Sequence, residues 1–88
     1  MKRKQENMLE KWVKERNEAV ASFDVKKFKS FLLKWQMLGA YRKRPLPDDE
    51  ILEIAMYKMC CNIVTMQAEK KQEARAWLKL RGYDTDIY

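Results

Sequence analysis

Residues 51–66 read ILEIAMYKMCCNIVTM, and within them only Glu53 and Lys58 carry charge, although 36% of the whole chain is charged. On a helical wheel Lys58, Asn62 and Thr65 fall within about 60° of one another. Glu53 lies near the exposed start, and the remaining arc of roughly 260° is apolar. A helix apolar on nearly all sides is enclosed by neighbours. The stretch therefore predicts a central third helix, over 47–65, with the other helices packed around it. Ile54, Ala55, Met59, Cys60, Ile63 and Val64 are expected to be buried. The alternative is that part of this surface meets a second chain, as in a homodimer through helix 3. Met37, Met56, Met59 and Met66 fit either reading, because methionine fills both irregular cores and adaptable interfaces.

Upstream of this segment, GAYRKRPLPDD (39–49) is the longest loop. Pro45 and Pro47 disfavour helix at the residues before them. Pro47 suits a first helical turn, and Asp48, Asp49 and Glu50 complement the positive end of the helix dipole. Helix 2 is expected over 25–38. Val25, Phe28, Phe31, Leu32, Trp35 and Leu38 share its core face. Asp24 or Ser22 caps its start, Phe23 staples against Phe28, and Gly39 ends it. Leu33 and Met37 lie on the opposite side, four residues apart. Either another segment covers them or they form a partner patch.

Helix 1 is expected over 5–21, after a frayed basic start at 1–4. Met8, Leu9, Trp12, Val13, Ala19 and Val20 fall in one arc of about 140°. Arg16 lies inside that arc. Its stem packs while its head reaches the edge, or it is buried against an acid. Helix 4 is expected over 67–81, as the shorter fourth of a bundle with three long helices, with Thr65 as its cap and Ala74, Trp77 and Leu78 on its core face. Gly82 stops it and Tyr83 folds back. The fold class is all-α: a single domain, 1–88, forming a small antiparallel bundle.

With 88 residues the chain has a thin stability margin. Its formal net charge of +6 favours acidic partners, either an acidic protein surface or nucleic acid. The apolar segment is too short and too interrupted to span a membrane. MKRKQEN is followed by a polar amphipathic helix instead of a secretory core, so a soluble, cytoplasmic protein is expected. The adjacent Cys60 and Cys61 are a poor disulfide pair and are expected to be reduced core residues.

The chain contains no histidine, which removes the commonest general base and metal ligand near neutral pH. There is no glycine-rich phosphate loop, no nucleophile elbow and no spaced zinc ligand set. No catalytic residue, metal or cofactor is expected, and dipole complementation accounts for the acids at 48–53. Two basic features are candidate partner sites. Tyr41, Arg42, Lys43 and Arg44 form a loop cluster in which tyrosine can stack on a base. Lys71, Arg75 and Lys79 recur every four residues along helix 4, where they can track phosphates. Helix 3 is too apolar to read a DNA groove, which leaves helix 4 as the candidate reader.

LPDDEILEIAMYKM (46–59) and EARAWLKLRGY (73–83) resemble segments of small helical proteins encoded by bacteriophages and integrated mobile elements. The resemblance spans about residues 45–83. It implies a bacterial cytoplasmic setting and a non-enzymatic accessory role. Proteins of that kind often bind and modulate a larger host or phage protein, including host defence nucleases. The expected function is thus a small binding protein that acts through its basic surface. Sequence-nonspecific nucleic-acid binding is the alternative, and structural self-association is third.

Overall fold

In a computed structural model, residues 8–39 and 41–85 are described, and they form four helices with no strand among them. These are α1 (Met8–Ala21), α2 (Val25–Met37), α3 (Asp49–Asn62) and α4 (Ala68–Leu80). The basic lead-in 1–4, residues 5–7 of the first expected helix, Ala40 and the end of the acidic tail lie outside the described residues. The helices have 14, 13, 14 and 13 residues, so the fourth is not a shorter appendage.

α3 packs against each of the other three helices, most extensively against α4. Leu52, Met56, Tyr57, Cys60 and Cys61 are its buried residues. They join Val20 of α1, Phe28 of α2, and Ala74 and Leu78 of α4 in one core cluster. Ala19, Phe31 and Trp35 form a second cluster between α1 and α2, against which Trp12 and Tyr41 pack. Leu32 packs against both clusters. No polar or charged residue is buried among the described residues. The core is therefore held by apolar burial, at roughly 25 cal/mol per Å² removed from water.

Local chemistry sets the helix ends. Asp24 accepts a hydrogen bond from the Lys26 amide at 2.9 Å and caps α2. Gly39, at φ 87°, ends α2 with its N–H donating to the Gln36 carbonyl. At the end of α4, Gly82 (φ 77°) donates to Lys79 O and Tyr83 donates to Leu78 O. That pair of bonds is a Schellman closure, and it turns the Tyr83 ring onto Trp77, with centroids 6.4 Å apart.

α3 is shorter at both ends than the apolar run predicts. It starts at Asp49, so Pro47 precedes the cap instead of occupying the first turn. It stops at Asn62 because Ile63 turns extended (φ −82°, ψ 119°). Asn62 Nδ2 donates to the carbonyls of Lys58 and Thr85, which pins that end. Ile63 and Met66 still reach the core, but Val64 sits in the turn and is 89% exposed instead of buried. Ile54, Ala55 and Met59 are half-buried. Thr65 does not cap α4. Its hydroxyl accepts from Asn17 Nδ2 at 2.9 Å, and Gln67 holds the cap position. The expected core stripe of α1 also weakens at its start, where Met8 and Leu9 are exposed and line an open apolar hollow with Trp35 and Leu38. Leu38, expected on the core face of α2, is exposed because the chain is already leaving the helix there.

Candidate functional site

The loop that leaves α2 folds back beside that helix and encloses a groove of about 560 Å³. Leu32, Leu46 and Leu52 supply its aliphatic lining, from α2, the loop and α3 respectively, and Tyr41 lines it as well. Gln36, Arg42 and Arg44 line it with polar groups, and Pro45 and Pro47 stiffen the loop side. Gln36 Nε2 donates to the Arg44 carbonyl at 3.4 Å, which ties loop to helix. Leu46 is half-buried and packs on the main core cluster, so the loop is anchored at its middle.

Tyr41 fastens the start of the loop. Its hydroxyl accepts a hydrogen bond from Trp12 Nε1 at 2.8 Å. Its ring meets Trp12 and Phe31 edge-on, each at 6.5 Å between centroids. Burial raises the Tyr41 pKa above its ordinary value, against the opposing pull of the Trp12 hydrogen bond. Tyr41 is therefore half-buried, packed on α1 and α2, and it also lines the groove.

Arg42, Lys43 and Arg44 are exposed and have no carboxylate partner among the described residues. Five basic side chains elsewhere among the described residues are engaged. Lys29 pairs with Asp49 at 3.0 Å, and Lys34 pairs with Glu15 at 2.8 Å. Lys70 pairs with Glu73 and sits over the Phe23 ring. The Arg16 guanidinium lies 4.8 Å from the Trp12 ring centroid and bonds Asn17 Oδ1, so it has an aromatic partner, not an acid. Arg81 covers Trp77 at 4.1 Å.

Lys71, Arg75 and Lys79 lie on α4, with Lys71 half-buried and the other two exposed. α4 packs chiefly on α3, whereas Tyr41 packs on α1 and α2, and no described contact joins the stripe to the loop. Leu33 and Met37 are uncovered, at 47% and 79% exposure. On the α2 wheel Gln36 lies about 40° from Leu32, with Leu33 about 60° further round and Met37 beyond it. The exposed pair therefore adjoins the groove across Gln36.

Cys60 and Cys61 are buried and unbridged. Their Sγ atoms donate weakly to the carbonyls of Lys70 and Lys71, at 3.5 and 3.9 Å. Burial, with Cys61 alongside, pushes the Cys60 thiol up to about 11. Burial also raises Cys61, against the nearby charges of Arg75 and Lys71. Neither thiol is poised for nucleophilic chemistry.

The sequence reading found the cations and missed Leu46. The available signal was a large apolar residue held between two prolines in an otherwise polar loop. Compared with known protein families, curated proteins and solved structures, the chain matches none.

Proposed function

We propose that the protein is a non-enzymatic binding protein, of the phage or mobile-element accessory type, that contacts and modulates a larger protein through the loop 42–44 and the groove beside it. The carrying observation is the division of labour within the loop. Tyr41 packs on Trp12 and Phe31, while Arg42, Lys43 and Arg44 stand exposed without a carboxylate partner among the described residues. An ssDNA or ssRNA site combines cations with a free aromatic platform. Here Tyr41 is held by Trp12 and Phe31 at the wall of the groove, and leucines make up the rest of its apolar lining apart from the prolines. That favours an acidic protein surface over single strands.

Duplex nucleic acid is the second reading, favoured by the exposed α4 residues Arg75 and Lys79, which have no carboxylate partner among the described residues. Self-association through α3 has less support, because Met56, Tyr57, Cys60 and Cys61 are already covered by the chain's own helices.

The test is the triple variant Arg42→Glu, Lys43→Glu, Arg44→Glu, used as bait in a bacterial lysate with and without nuclease. Thermal stability should barely move, since exposed charges contribute little to folding. The parent should retain a protein partner after nuclease treatment, and the variant should lose it, first through slower association. Loss of all capture on nuclease treatment would transfer the function to nucleic acid. On duplex DNA, three lost phosphate contacts would flatten the log–log salt slope by about 2.7.

A further inference from the structure

We infer that the groove between α2 and the 42–47 loop takes an amphipathic, acidic helix of a protein partner, with apolar side chains over Leu32, Leu46 and Leu52 and carboxylates against Arg42 and Arg44. This rests on the protein-binding reading above and names the kind of segment recognised.

Three observations converge on that occupant. The first is charge. No acidic residue lines the groove, and its two arginines have no carboxylate partner among the described residues. A carboxylate brought there gains a fork-shaped donor without breaking an existing pair. The second is the lining. Three leucines from three different elements meet in a groove of about 560 Å³, within the usual range for a cleft that takes a few side chains. The third is the backbone. Pro45 and Pro47 lack N–H groups, and the Arg44 carbonyl is already engaged by Gln36. The loop edge is thus a poor template for an added strand, which leaves recognition to side chains. A helix presenting apolar residues at i, i+3, i+4 and i+7 meets that requirement.

The chain also gives the occupant a direction. Along the loop the charge changes sign, from Arg42–Arg44 to the exposed Asp48, Asp49 and Glu50 that follow Pro47. The acidic end of the partner segment therefore lies over Arg42 and Arg44, and its less acidic end lies toward the start of α3. Leu33 and Met37 extend the apolar strip beyond Gln36 and offer a place for residues on the flank of such a helix.

The experiment uses the full chain with labelled leucine and methionine methyls. It is titrated with three probes. One is a helix-forming peptide of Asp and Glu carrying leucines at i, i+3, i+4 and i+7. The second has those leucines replaced by serine at equal charge. The third is a short DNA duplex. The leucine peptide should bind at least about tenfold more tightly than the serine peptide and shift the Leu32, Leu46 and Leu52 methyls. Arg42→Glu with Arg44→Glu, both at exposed positions, should weaken it by at least about tenfold. Equal binding of the two peptides would overturn the groove assignment and leave the basic-surface reading standing. Shifts confined to Met8, Leu9 and Leu38 would overturn it as well. Binding of the duplex with neither peptide bound would remove both the groove and the protein partner.

Discussion

Phe23 stands where a glycine is expected. It follows α1 with φ 55°, and its N–H donates to the Val20 carbonyl. A left-handed backbone costs a side-chain-bearing residue about 1–2 kcal/mol. What offsets that cost is the ring, stacked on Tyr57 at 4.8 Å with the Lys70 ammonium 4.9 Å away on Phe23. An aromatic stack of this kind contributes about 0.5–1.5 kcal/mol beyond area burial. In urea denaturation, Phe23→Ala should be the weakest variant, since it keeps the strained backbone and loses the ring. Phe23→Gly should recover about 1 kcal/mol relative to it while staying below the parent. A glycine variant as stable as the parent would mean that the ring contributes nothing. The cysteines are a second matter at this scale. With its pKa near 11 instead of 9, the Cys60 thiol holds about a hundredfold less thiolate at mildly alkaline pH. Labelling by a maleimide should be slow in native buffer and fast in denaturant. Comparable rates in both would place the thiols in solvent.

At the scale of elements, α1 and α2 are clamped by one acid. Glu15 accepts from Lys34 Nζ at 2.8 Å and from Trp35 Nε1 at 3.0 Å. The Lys34 hydrogen bond, helped by Trp35, holds the Glu15 carboxyl below its ordinary value near 4.5, against some desolvation. Because the folded pKa is the lower one, the stabilisation is complete above the ordinary carboxylate range and is lost as pH falls through the folded value. Glu15→Gln should melt below the parent at neutral pH, and the two melting curves should converge in acid. A gap that persisted unchanged into acid would mean that the carboxylate charge is not what holds the two helices. The sequence made the elements legible wherever period and punctuation agree, as at Asp24, Gly39 and Gly82. It misjudged α3, because apolar character was read as helix. Ile63 and Val64 continue the apolar run, but the chain has already turned, with Asn62 bonded to Lys58 and Thr85. The same limit applies to the site. A wheel places Leu33 and Met37 on the outside, but only the folded loop brings Leu46 and the arginines to Leu32.

Across the whole molecule, the two core clusters share Leu32, which also lines the groove. In a domain this small, where less surface is buried than in larger folds, few residues separate a binding surface from the core. A partner seated in the groove would press on the residue at which both clusters meet. The tryptophans divide along the same line. Trp35, with Trp12 against it, belongs to the α1–α2 cluster, whereas Trp77 stacks on Tyr57 at 4.0 Å with its ring tilted by only 9°. The protein is therefore a ready-made optical instrument with two channels. The near-ultraviolet circular dichroism that is lost when Trp77 is replaced by phenylalanine reports the Tyr57–Trp77 pair on the α3–α4 side. Once Trp77 is replaced by phenylalanine, indole fluorescence reports the α1–α2 side alone, so the melting of each half can be watched without any attached dye.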